Sequence, residues 1–230
     1  MIRLHITAEG ETEERFVNIC LKHHLALYQV FCDVRKVLTK EDSRRHVEFR
    51  GGFRRCSAYQ IVRKDIKNWL AEDHSPICRF TTMFDYYALP EDFPGMNACQ
   101  DIADPYDRIH FLESSFMKDI GDSRFIPYIQ LHEFEALIFV APRNLEREYL
   151  NHDHEIASLV QVSDEFVNPE LINNNPQTAP SRRIISAIPA HAHNKVSGAS
   201  VAAQIGITRL CEKCSHFNEW ITLLSRLDSH

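Results

Sequence analysis

Glu9 and Glu13 stand four residues apart in the opening segment MIRLHITAEGETEERF. Ile2, Leu4 and Ile6 give this segment a short apolar, β-prone run that delivers Glu9 and Gly10 to its carboxyl end. Thr12 and Glu13 then open an apolar-periodic helix carrying Phe16, Val17, Ile19, Cys20 and Leu21. A glycine at this junction lets the backbone bend sharply from strand into helix. Two carboxylates gathered there suit a hard divalent cation, which prefers oxygen ligands. The competing reading is that Glu11, Glu13 and Glu14 only complement the positive end of the helix dipole. Two more acidic segments bear on the choice. Asp85 closes the strand-like run Thr81-Thr82-Met83-Phe84, and Glu133 and Glu135 follow Gln130-Leu131-His132. Taken singly each is weak, because Asp also starts turns and Glu also favours the first turn of a helix. His132-Glu133 begins like a zinc-protease helix, but the second histidine of His-Glu-x-x-His would fall at 136, where Ala136 stands.

The elements that must position these acids read as alternating strands and helices. Apolar runs predict strands at 2–8, 30–38, 77–84 and 125–131, and helices at 12–27, 57–72, 97–118 and 133–140. Alternation at this spacing implies an α/β fold whose mostly parallel sheet, of four or slightly more strands, lies between helices. In such sheets working residues collect at the carboxyl ends of the strands, which is where Glu9, Asp85 and the His132–Glu135 segment fall. From about residue 141 prolines at 142, 169, 176, 180 and 189 punctuate shorter segments, with helical patterns at 144–160, 181–187 and 197–227. Residues 1–140 therefore read as the α/β core, and 141–230 as a helical cap packed on it within one globular unit.

At 230 residues and 44% hydrophobic content the chain can bury a substantial core. No apolar run approaches the ~20 residues needed to cross a bilayer, and polar residues at Arg3 and His5 interrupt any signal-peptide pattern. Seven scattered cysteines suit reduced thiols, so the expected compartment is the cytoplasm. A net charge of −6 excludes a generally basic nucleic-acid coat. Locally the balance reverses, since residues 35–55 hold eight Lys/Arg against three acids. Charge clusters are commonly solvated loops. The alternative is a phosphate-contacting arm, for which Arg44, Arg45, Arg54 and Arg55 are the candidate nucleic-acid-binding residues.

Taken together, Glu9-Gly10-Glu11-Thr12-Glu13-Glu14-x-Phe16, Asp85-Tyr86-Tyr87-x-Leu89-Pro90 and His132-Glu133-Phe134-Glu135-Ala136-Leu137 resemble a bacterial family of small Toprim-like proteins. Pro180-Ser181-Arg182-Arg183 and Lys195-x-x-Gly198 extend the resemblance over nearly the whole chain. That family resembles the nuclease domains of overcoming-lysogenization-defect proteins, and some members accompany an ABC-type ATPase in phage-defence loci of the AbiL type. The resemblance implies a Toprim-like fold and hydrolysis of phosphodiesters in DNA or RNA assisted by Mg2+ or Mn2+. It carries the first-strand glutamate onto Glu9, the second glutamate of Glu-Gly-x-x-Glu onto Glu13, and the first aspartate of Asp-x-Asp onto Asp85. The second aspartate is replaced by Tyr87, so the ligand set needs Glu133 or Glu135. Lys195 is the matching candidate for a lysine that stabilises charge on the scissile phosphate. A partner ATPase, a homodimer and a role as effector of a defence or toxin system are further implications. So is the contrary possibility raised by Tyr87, a non-catalytic module that binds nucleic acid or the ATPase.

Other signals are weaker. Cys211-x-x-Cys214 with His216 makes only half a zinc site, with no second pair at suitable spacing. His191-x-His193 and His152-x-His154 read as surface histidines in loops. There is no Walker A motif, so ATP hydrolysis would have to come from a partner.

Overall fold

The computed structural model describes residues 1–42, 47–51, 59–173, 177–194 and 196–228. Its centre is β1 (Ile2–Ala8), whose inward residues Leu4, Ile6 and Ala8 are wholly buried. β2 (Val30–Lys36) and β5 (Cys78–Asp85) flank it, both parallel, with Ile6 opposite Val34 on one side and Thr81 on the other. β6 (Phe125–Ile126) and β7 (Ile129–Gln130) both pair with β5, again parallel. The result is the expected α/β architecture with a mostly parallel, five-stranded sheet, a layout consistent with a Toprim-like fold. The expected strand at 125–131 is split in two because Pro127 has no N–H to donate to the ladder.

Helices cover both faces. On one face lie α1 (Glu11–Phe16), a π-helical stretch (Val17–Leu21) and α2 (Lys22–Ala26), which run on without a break. The C-terminal helices join them there: α5 (Asp153–Asp164), α6 (Pro180–Ala187), α7 (Ser197–Ile205), α8 (Ile207–Lys213) and α9 (Ser215–Ser225). Phe16, Val17 and Leu21 share one apolar cluster with Ile184, Val201, Leu210 and Phe217. α3 (Tyr59–Glu72) and α4 (Pro105–Ile120) cover the other face, where Val62, Ile66, Leu112 and Phe116 pack against Phe80 and Phe84.

Several helical patterns break where a local device intervenes. The pattern at 97–118 becomes a 3-10 turn (Ala98–Asp101) and α4, because Asp104 caps the amides of Tyr106 and Asp107 and Pro105 sits at the first helical position. The pattern at 197–227 becomes three helices, broken at Gly206, whose φ of 85° favours glycine, and at Cys214, which is extended. The stretch at 133–140 is a 3-10 helix, Phe134–Val140.

The basic segment also folds differently from a simple loop. β3 (Leu38–Asp42) pairs antiparallel with β4 (Val47–Arg50) in a hairpin that runs on from β2. Buried Asp65 on α3 anchors it, accepting from the Leu38 amide at 3.0 Å and pairing with Arg35 at 3.1 Å and Arg50 at 3.2 Å. Two cations of the basic stretch are thus engaged in holding the hairpin to α3.

Candidate acidic site at the carboxyl edge of the sheet

Parallel register brings the first two acids together. β1 and β5 run side by side with Ala8 opposite Met83, so the chain leaves both strands at the same edge. The Glu9 amide completes the ladder on the Met83 carbonyl at 2.9 Å, and the Glu9 carboxylate turns back to accept from the Asp85 amide at 2.9 Å. One residue on, the Gly10 amide donates to Glu13 Oε2 at 2.8 Å. A Cβ on Gly10 would stand 3.3 Å from that same oxygen, so the absence of a side chain leaves the Glu13 carboxylate its place. Gly51, at the end of the hairpin, closes over this turn through the Val37 carbonyl, 2.8 Å from its amide.

Glu133 and Glu135 arrive from the other side. After β7, His132 takes a left-handed φ of 64°, and Glu133 precedes the Phe134–Val140 turn in an extended conformation. Both glutamates are buried. Ser181, early in α6, donates its amide to Glu133 Oε2 at 3.0 Å. Gly198 lets α7 approach the turn that carries Glu135, since a Cβ there would lie 3.2 Å from Ile138 Cδ1. Ser181 and Gly198, each within a segment picked out in the sequence, therefore buttress the acids.

Electrostatics show the five acids acting on one another. The Asp85 carboxyl is raised well above its ordinary range, first by burial, then by the charges of Glu9, Glu13, Glu135 and Glu133 in that order. Its Oδ1 is shut off from solvent and has no hydrogen-bond partner among the described residues. A buried carboxylate oxygen left unmatched among four other carboxylates fits a cation-binding site, because a cation would satisfy it and relieve the repulsion. All five candidate metal ligands named from the sequence are thus brought to one edge of the sheet. Lys195, Arg44, Arg45, Arg54 and Arg55 lie outside the described residues.

Two features of this edge are not legible as site residues in the sequence. His191, expected on the surface, is completely buried. Its Nδ1 is 2.9 Å from the Tyr149 hydroxyl, and its Nε2 faces Glu135 Oε1 at 3.8 Å without a hydrogen-bond partner among the described residues. It lies in a single 3-10 turn, Pro189–His193, too short to show a periodicity from which burial could be read. The second feature is a cavity of about 440 Å3 whose wall includes Tyr86, Tyr87, Tyr106, Arg108, His132 and Asn173. Tyr87, at the position of the missing aspartate, directs no carboxylate here. Its phenol is pushed up to about 12, by burial first and then by Glu133. His132 is pushed down to about 4 by burial and by Arg108, so it stays neutral at physiological pH.

Tighter donor groups, with ligand atoms all within 4.8 Å, occur elsewhere among the described residues: His5–Asp73–Cys78 and His110–Glu113–His216. In the first, the aspartate is already engaged. Asp73 accepts from the Ser75 amide at 3.0 Å, meets His5 Nε2 at 3.0 Å and pairs with Arg3. Cys211 and Cys214 are free thiols raised by burial, Cys211 to about 11, as expected of packed rather than ligating cysteines.

Fold and site together define an α/β protein with a cluster of buried and half-buried acids at the carboxyl edge of a mostly parallel sheet. Within that class, the chain belongs to the family described as Domain of unknown function (DUF4276), whose model matches residues 8–225. No curated protein and no solved structure matches the chain. Among the described residues no helix is long and apolar enough to cross a membrane.

Proposed function

We propose that this protein is a metal-dependent, Toprim-like nuclease that hydrolyses phosphodiester bonds in DNA or RNA. The observation that carries the reading is the unpartnered, solvent-shielded Oδ1 of Asp85 among Glu9, Glu13, Glu133 and Glu135. Those five residues would hold Mg2+ or Mn2+, hard cations matched to an all-carboxylate set. Bound ions would supply activation of a water and neutralisation of charge on the phosphate. The protein's own part is positional. Hydrogen bonds from the Asp85, Gly10 and Ser181 amides fix Glu9, Glu13 and Glu133, at 2.9, 2.8 and 3.0 Å. His191 stands beside Glu135, its Nε2 3.8 Å from that carboxylate.

Nucleic acid is the substrate class the surroundings favour. Tyr86 follows Asp85 directly and His132 precedes Glu133, so the aromatic cavity opens beside the acids. Tyrosines and a neutral imidazole offer stacking surfaces to a nucleobase while the acids engage its phosphate through a cation. We place the protein in the cytoplasm, as the effector of a bacterial phage-defence or toxin system, with an ABC-type ATPase and a second copy of the chain as its partners. Arg44, Arg45, Arg54 and Arg55 are the proposed phosphate contacts, and Lys195 the proposed stabiliser of phosphate charge. Tyr87 in place of an aspartate favours a second reading, a module that binds nucleic acid or the ATPase without cutting.

A cleavage assay tests the choice. Plasmid, single-stranded DNA and tRNA are incubated with EDTA, Mg2+ or Mn2+, using wild type, Glu9→Ala and Asp85→Ala. The nuclease reading expects cutting only with metal, lowered about a hundredfold or more in both variants, the scale of losing a group that stabilises transition-state charge. Nucleic-acid binding without cleavage, with or without metal and the ATPase, would establish the second reading in its place.

A further inference from the structure

Two buried side-chain atoms at the acidic edge lack a hydrogen-bond partner among the described residues, Asp85 Oδ1 and His191 Nε2. The first belongs to the carboxylate set already described. The second is a nitrogen, on a ring with no exposure to solvent. The turn that carries it is fixed, since the His191 amide donates to the Ile188 carbonyl at 3.0 Å and its carbonyl accepts from the Asn194 amide at 3.1 Å. Nε2 faces Glu135 Oε1 at 3.8 Å, and the Glu135 charge in turn reaches Asp85.

A chain of hydroxyls on the other side of the ring bears on which nitrogen carries its proton. Ser197 Oγ–H donates to the Asn194 carbonyl, which can only accept, at 2.7 Å. The Tyr149 hydroxyl lies 2.7 Å from Ser197 Oγ and 2.9 Å from His191 Nδ1. With the serine hydrogen committed to Asn194, Tyr149 donates to Ser197 and accepts from Nδ1–H. Every hydrogen of the chain then has an acceptor, and Nε2 keeps a lone pair. The reverse order would leave a buried Nε2–H with no acceptor in reach, the costlier arrangement.

The 3.8 Å gap agrees with that order. An N–H facing a carboxylate closes to about 2.7–2.9 Å, whereas two acceptors stand apart unless a cation lies between them. Two ligand atoms each about 2.0–2.2 Å from one ion stand roughly 3–4 Å apart. Magnesium takes oxygen ligands, and an imidazole nitrogen favours first-row transition ions over it.

We propose that His191 Nε2 is a nitrogen ligand of the cation held by Glu135, with Tyr149 and Ser197 as positioning residues, and that the acidic edge therefore prefers Mn2+ to Mg2+. The proposal rests on reading that edge as a cation site.

The test uses the full chain, stripped with EDTA and loaded with Mn2+ below one equivalent. Electron spin-echo spectroscopy then reads the nitrogen nuclei coordinated to the bound ion. Wild type should show the coupling of a directly bound imidazole 14N, replaced by that of 15N when the histidines are 15N-labelled. His132→Asn, which removes the other imidazole beside the acids and suits a left-handed residue, should keep the signal. His191→Gln should abolish it and weaken Mn2+ binding by about tenfold or more, with Mg2+ binding changed much less. Should that variant not fold by circular dichroism, the labelled wild type and His132→Asn still decide. Bound Mn2+ without nitrogen coupling, or coupling that survives in folded His191→Gln or vanishes in His132→Asn, would overturn the proposal and leave the carboxylate site standing. Absence of Mn2+ binding in wild type would overturn both.

Discussion

Asp85 shows what the acidic edge costs the protein. Its carboxyl is buried beside four like charges, and its Oδ1 makes no hydrogen bond among the described residues. Its side chain makes no capping bond to the 3-10 turn that follows, Tyr86–Ala88. Replacing it with asparagine removes a charge that burial and repulsion both oppose. In EDTA, Asp85→Asn should therefore be more stable than wild type by about 1 kcal/mol or more, the size of gain that relieving an active-site strain brings. With millimolar Mg2+ the order should reverse, because only wild type gains binding energy. Denaturant melts with and without Mg2+ check both halves. A variant less stable than wild type in EDTA would mean that Asp85 serves the fold.

At the scale of elements, the opposite end of β1 holds a charge network with the reverse character. Asp73, just after α3, is held well below the usual carboxylate range by the Cys78 thiol first, then by His5 and the Ser75 amide. Arg124 adds a bond to its carbonyl at 2.6 Å, joining α3 to the segment before β6. A depressed carboxyl contributes stability above its unfolded value near 3.8, and that contribution is lost as pH falls through the folded value. Asp73→Asn should lower stability at pH 7 by about 1 kcal/mol, modest because solvent screens a charge near the surface. The deficit should shrink steadily below pH 4. Urea melts across the acid range would show this, and a deficit independent of pH would assign Asp73 a purely packing role.

At the scale of the whole molecule, the C-terminal helices are part of the core and not an optional cover. Trp220 on α9 is 4% exposed, donates Nε1–H to Thr81 of the central sheet at 3.0 Å and stacks on Tyr128 at 4.1 Å. Trp220→Ala removes a large buried ring and leaves the Thr81 hydroxyl without its donor. It should cost about 3–5 kcal/mol, in the range for deleting a buried aromatic. Because Thr81 lies on the strand that ends at Asp85, the loss should appear as one cooperative transition by both fluorescence and circular dichroism. Two separated transitions would instead mark residues 141–230 as a unit that folds apart from the sheet.

Local chemistry determined much of this. Alternating apolar runs set β1, the parallel order and the strand ends, so Glu9 and Asp85 were legible as neighbours from the rule that parallel strands deliver their loops to one edge. The five acids were legible as candidates because carboxylates gather at such ends for few reasons other than capping or cations. Tertiary structure alone decided the rest. Which acids share a field depends on β7, α6 and α7 arriving from more than 40 residues away in sequence, as the bond from the Ser181 amide to Glu133 illustrates. The burial of His191 follows from Tyr149 and Ser197, which no local pattern joins to it. The meeting of His110 and Glu113 with His216 and Glu219 needs two helices from opposite faces, about a hundred residues apart in the chain. Periodicity reports one element's own faces; which faces meet is fixed only when the whole core closes.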